Sequence, residues 1–175
     1  MTDRAPNNSA PHPAALSAEE LLADCDIQRT RRGGPGGQHR NKTETAIVLT
    51  HRSSGISGQA SERRSQAANR EVALFRLRLN LAIAIRSETP SQAPSELWCG
   101  RIAGGKISVS ENHQDFPTLL AEALDQIIAH KFELGVAAKA LGASTSQLVK
   151  FFKRCPEAWQ YVQRCRVDNG LPRLK

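Results

Sequence analysis

No stretch of this 175-residue chain approaches the ~20 consecutive apolar residues that a membrane-spanning helix needs, and no basic segment followed by an apolar one marks a secretion leader. Its four cysteines, Cys25, Cys99, Cys155 and Cys165, include no C-x-x-C pair, which excludes the common zinc-ligand spacings. The expectation is a cytoplasmic chain with reduced thiols and no membrane partner. The N-terminus, rich in Pro, Asn and Ala, has too few large apolar groups to offset the entropy of ordering it. With one Arg among its first ten residues and several acids soon after, it also makes a poor transit peptide. Acidic residues are scarcest where positive charge collects. Residues 28–86 hold twelve Lys/Arg against three Glu and no Asp, within a chain of net charge +7. Such a block is the usual electrostatic footprint of a nucleic-acid binder, because phosphate contacts supply most of the non-specific affinity, the alternative reading being a solvated Arg-rich helix face. A second basic block, residues 131–175, follows an acidic stretch. The length suits one solid domain or two small ones.

Patterning along the chain predicts an α+β fold. Residues 1–16 are expected to form a flexible tail. Ser17, with Glu20 three positions on and Leu21-Leu22 behind, matches a capping box and starts a short helix. Residues 25–32 alternate as a strand, followed by the break Gly33-Gly34-Pro35-Gly36-Gly37, which no helix or central strand accommodates. Strands near 46–51 and 56–60 flank a Ser53-Ser54-Gly55 turn. A long helix over 62–86, N-capped by Ser61, follows. It presents Val72, Phe75, Leu79 and Ile83 to a core, widened by Leu77, Leu81 and Ile85, and arginines to its other side. The division expected is a module over 17–88, a Pro/Ser-rich linker over 89–96, and a mostly helical module over 97–175. Within the last, 97–99 and 106–109 read as a small hairpin around Gly104-Gly105, and a helix follows Pro117.

The chemistry concentrates in one run. Gly34-Pro35-Gly36-Gly37-Gln38-His39, then Asn41-Lys42-Thr43-Glu44-Thr45-Ala46, closely resembles the catalytic signature of the class I peptide chain release factor family. Thr50-His51, Gly55-Ile56, Glu62-Arg63, Ser65-Gln66 and Asn69-Arg70 extend the resemblance over about residues 24–84. Membership implies a small mixed or antiparallel sheet carrying the loop and packed on the long helix. It also implies hydrolysis of the ester joining a nascent peptide to its tRNA, at the peptidyl transferase centre of the large ribosomal subunit. Gly36, Gly37 and Gln38 are then the catalytic tip. Gln performs neither acid nor base chemistry, so Gln38 offers a backbone N–H to the oxyanion and a side-chain amide that positions water. Gly36 and Gly37 allow torsions a Cβ forbids in a narrow, RNA-walled site. His39 reads as a structural or RNA-contact residue rather than a general base. Arg31, Arg32, Arg40, Asn41, Lys42, Arg63, Arg64 and Arg70 are the expected contacts to ribosomal RNA and peptidyl-tRNA. Arg40 departs from the pattern, since the family usually carries an apolar residue there.

Neither a Pro-x-Thr nor a Ser-Pro-Phe tripeptide, the codon-reading signatures of full-length release factors, occurs here, and no Lys/Arg-rich tail like that of the short rescue members closes the chain. Codon-independent ribosome rescue by a monomer, without metal or nucleotide cofactor, is the expectation. The alternatives are an RNA-binding protein of this fold without hydrolytic activity and a DNA-binding regulator built on the C-terminal helices. There, Ala138, Gly142 and Leu148 match helix-turn-helix spacing over 134–154, with Ser144 and Gln147 as a capping box. That segment reads equally well as a nucleic-acid contact or as an ordinary helical hairpin with a solvated basic face. Trp159, Tyr161 and Val162, after Pro156 at a helix start, read as core rather than as a base-stacking platform.

Overall fold

The computed structural model describes residues 11–30, 45–87 and 93–174. Ser17 and Glu20 close both halves of the expected capping box, at 3.2 and 2.9 Å, and start α1 (Ala18–Ala23). β1 (Cys25–Thr30), β2 (Ala46–His51) and β3 (Ser57–Ala60) form an antiparallel sheet with β2 in the centre. Ile47, Leu49 and His51 alternate on the buried face of β2, as a strand with one covered side requires. Gly55, at φ +70°, carries the turn into β3.

The long helix, α2 (Gln66–Ala84), lies across β2 and β3 and starts later than expected. Its N-cap is Ser65, whose Oγ accepts the Ala68 N–H, not Ser61. The reason is Asn69, which binds both the N–H and the C=O of Arg63 and so holds that backbone out of the helical ladder. The buried stripe also differs from expectation. Ala73, Leu77, Leu81 and Ala82 are fully buried, whereas Val72, Leu79 and Ile83 are half-buried at its margins. The cause is the close approach of β3. At Gly58 a Cβ would lie 2.3 Å from Leu77 N and 2.4 Å from Ala73 O, so small residues on both surfaces set which line of the helix meets the sheet.

The expected tail is corrected over its last residues. Pro13–Ala15 form a 3-10 turn, and Ala14 is completely buried between α2 and the later helix α4 (Phe116–Ala129). Thr118 Oγ1 donates to Ala14 O at 3.0 Å, and the Arg78 guanidinium donates to Leu16 O. Composition undervalued this segment because alanine, which contributes little area, fits where two helices leave no room for more.

His12 anchors the same turn. Its Nε2–H donates to Ile85 O and its Nδ1 accepts the Ala14 N–H, each at 3.0 Å, which suits the neutral ring. Burial lowers its pKa below the ordinary value, outweighing the hydrogen bond to Ile85 and the nearby Asp125 carboxylate. With the folded pKa depressed, the unfolded chain binds the proton more readily. This contribution is complete above the unfolded pKa of about 6.5 and is lost as pH falls below it. Urea midpoints should therefore drop more between pH 7.5 and 5.5 for the parent chain than for His12→Gln; equal drops would remove His12 as the cause.

In the second half, Leu97-Trp98-Cys99 is helical rather than extended. Ser95 Oγ accepts the Trp98 N–H and starts α3 (Glu96–Gly100), so the small hairpin reduces to β4 (Ile102–Ala103) and β5 (Lys106–Ile107). Trp98 is buried, its Nε1–H donating to Leu141 O at 2.8 Å. Around it, Phe116, Phe151 and Phe152 pack with ring centroids 5.0 to 5.8 Å apart. Beyond α4 come α5 (Leu134–Ala140), α6 (Thr145–Lys153) and α7 (Pro156–Asp168), the last opening with the expected proline. In α7, Val162 is fully buried while Trp159 and Tyr161 are half-buried against the core.

α2 and α4 pack against each other, and buried residues of both halves join in one hydrophobic core. Asp125, almost wholly buried on α4, accepts from Arg86 Nη1 at 3.1 Å and Ser87 Oγ at 2.5 Å, which ties the end of α2 to α4. No described helix is long and apolar enough to cross a membrane.

Candidate functional site

Residues 31–45 join β1 to β2, and the strand positions at the two ends, Thr30 and Ala46, are cross-strand partners. The connection therefore starts and finishes at one end of the sheet. Of the twelve residues singled out in the sequence, nine (Arg31, Arg32, Gly36, Gly37, Gln38, His39, Arg40, Asn41 and Lys42) lie outside the described residues. The other three, Arg63, Arg64 and Arg70, are exposed.

One buried side chain brings those three to the loop base. Asn69 is completely buried in the first turn of α2. Its Nδ2 donates to Thr45 O at 2.6 Å and to Arg63 O at 2.9 Å, and its Oδ1 accepts the Arg63 N–H at 2.9 Å. With all three bonds made, the desolvation cost of the amide is offset, and the residue preceding β2 is fixed to the turn that presents Arg63 and Arg64. Arg70 follows Asn69 directly. In the sequence Asn69 stands as one more matching position; its signal is a polar residue on the helix face that then buries Ala73 and Leu77.

The cationic side expected of α2 is narrower than its arginine count. Arg76 pairs with Glu62, Nη2 to Oε1 at 2.7 Å, and donates to Gln59 O at 2.8 Å. Arg78 is spent on Leu16 O, and Arg86 on Asp125 and Ala82 O. Basic charge available to a polyanion on this element thus gathers at the end nearest the loop base. Strand β1 flanks that region with Arg29 exposed, and Ile27, two positions from Cys25, is also exposed because α2 covers β2 and β3 instead. Among the described residues, no cluster of three or more His, Cys, Asp or Glu could hold a metal ion.

Comparison with known proteins agrees with this arrangement. The family model described as the RF-1 domain matches residues 19–115, more than half of the chain. Peptide chain release factor PrfB1, chloroplastic, of Arabidopsis thaliana is 42% identical over 78 residues, covering 45% of this chain and 17% of its own length. Peptide chain release factor 1 of Xylella fastidiosa is 42% identical over 83 residues, 47% of this chain and 22% of that protein. The protein of the same name from Enterococcus faecalis is 34% identical over 147 residues, 78% of this chain and 41% of that one. The chain thus spans less than half the length of each of these relatives. The match begins in α1, runs through the sheet and α2, and reaches past the β4–β5 hairpin, so the architecture and the sequence agreement coincide. On that agreement, the chain belongs to the class I peptide chain release factor family.

Proposed function

We propose that this protein acts on the ribosome, in the cytoplasm, as a hydrolase of the peptidyl-tRNA ester and does so without reading a stop codon. Its catalytic module is residues 17–88, followed by a linker and a helical module over 97–175. The observation that carries the reading is the signature Gly36-Gly37-Gln38, set between two paired strand ends whose base Asn69 fastens to exposed Arg63, Arg64 and Arg70. In the reaction, water adds to the ester carbonyl, the bond to the tRNA hydroxyl oxygen breaks, and the water's proton ends on that hydroxyl. Gln38 orients the water through its amide and meets the developing oxyanion with its backbone N–H. Arg31, Arg32, Arg40, Lys42, Arg63, Arg64 and Arg70 hold the protein against ribosomal RNA and the tRNA acceptor end, with His39 and Asn41 as further RNA contacts.

A second reading, an RNA-binding member without hydrolytic activity, is favoured by Arg40 alone, which stands where the family usually has an apolar residue. Single-turnover peptide release separates the two. Ribosomes stalled on truncated mRNA should release peptide at least as fast as ribosomes paused at stop codons. Release confined to stop codons would overturn codon independence, and binding with no release at either would establish the second reading.

A further inference from the structure

We infer that α5, α6 and the β4–β5 hairpin together form a docking face for the sugar-phosphate backbone of double-helical RNA. The face lies mostly beyond residue 115, where the family match ends. Ala138 and Leu148 are buried between the two helices, and Gly142, at φ +65°, makes the turn between them. Ser144 Oγ accepts the Gln147 N–H at 3.3 Å, one half of the expected capping box, and starts α6. The hairpin is fixed to this point, because the Ser144 N–H donates to Gly105 O at 3.0 Å. A Cβ built on Gly135, in the first turn of α5, would lie 3.9 Å from Thr145 Oγ1, so the starts of the two helices adjoin.

Apart from Val136 on α5, the larger side chains these elements expose are polar or cationic. α6 turns Leu148, Phe151 and Phe152 inward and leaves Thr145, Ser146, Lys150 and Lys153 exposed, the last over the Trp159 ring at 5.2 Å; α5 adds Lys139, one turn beyond Gly135, and the hairpin adds Lys106 beside its tip. Residues 101–110 and 134–156 contain no Asp or Glu, so no carboxylate within these segments competes for the lysines. Two arginines of the region are used internally: Arg101 pairs with Asp115 at 2.6 Å, and Arg154 donates to Val109 O. Hydroxyls and ammonium groups bind phosphates and 2′-hydroxyls, and α6 has no fully exposed Arg, Asn or Gln to add the bidentate pairing by which those side chains select a base. The contact is therefore sequence-independent, the mode by which duplex RNA is held across its shallow groove. The choice of RNA over DNA rests on the proposed function.

The test is fluorescence anisotropy of the full chain with an RNA duplex of about 16 base pairs, and with a DNA duplex of the same sequence, across a salt series. Exchanging Lys106, Lys139 and Lys150 together (Lys106→Gln, Lys139→Gln, Lys150→Gln) should leave the melting temperature unchanged. It should weaken RNA binding by roughly tenfold or more and flatten the slope of log affinity against log salt by about 2 to 3. Unchanged affinity and slope in this variant, or tighter binding of the parent chain to DNA than to RNA, would overturn the inference. The two proposals fail separately. A chain that binds the duplex through these lysines yet releases no peptide loses the hydrolytic reading only, and one that releases peptide while the triple variant binds RNA unchanged loses only the docking face.

Discussion

Gln38→Ala should slow single-turnover peptide release by a factor of about 10² to 10³ while ribosome affinity stays within a few-fold of the parent chain. The substitution keeps the backbone N–H offered to the oxyanion and removes only the amide that orients water. A loss of that size corresponds to about 3 to 4 kcal/mol of transition-state stabilisation. Affinity is spared because it is spread over many phosphate contacts, among them those proposed for Arg63, Arg64 and Arg70, none of which the change touches. Gly36→Ala tests the other half of the mechanism. It leaves every functional group of Gln38 in place and restricts the backbone that delivers it, with a loss of release of similar size expected. Undiminished release in either variant, with binding intact, removes the glutamine mechanism.

The second large effect is structural. Gly58→Ala should lower stability by about 3 kcal/mol or more, a substantial part of the roughly 5 to 15 kcal/mol that holds a domain together. The new methyl would meet Leu77 N at 2.3 Å, Ala73 O at 2.4 Å and Leu77 Cα at 2.7 Å. All three are backbone atoms of α2, so no side-chain rotation relieves the contact, and β3 must separate from the helix. For a chain of this size the melting temperature should fall by roughly 6 to 12 °C. Gly100→Ala is the matched control, because a Cβ there meets nothing within 4 Å on the last turn of α3, and it should be neutral or slightly stabilising. A Gly58→Ala chain that melts with the parent would show that β3 and α2 do not approach this closely in solution.

Local rules carried the elements governed by local chemistry. The Ser17 capping box, the alternation of Ile47, Leu49 and His51, the turn at Gly55 and the proline start of α7 are each decided within a few residues, and the structure contains all of them. The misreadings have long-range causes. Ser61 is as good an N-cap by type as Ser65, and the choice between them falls to Asn69, whose bonds to Thr45 and Arg63 exist only once the sheet and helix have met. Leu97-Trp98-Cys99 looks extended in isolation, yet the burial of Trp98 against Leu141, over forty residues away, favours the helical turn that Ser95 caps. Of the candidate site, the signature itself was legible in the sequence, because a motif of contiguous residues needs no tertiary contact to be read.

The residue types of the signature and the family that shares them were legible without the fold, because a motif depends on which groups are present and on their spacing along a short segment. Only the packed fold decided which arginines in and beside α2 face outward and which are spent on Glu62, Leu16 and Asp125. It also drew residues 12–16 into the contact of α2 with α4. Those outcomes depend on partners distant in the chain. A guanidinium carries the same charge wherever it stands, and only the packed fold sets whether a carbonyl, a carboxylate or a polyanion reaches it first.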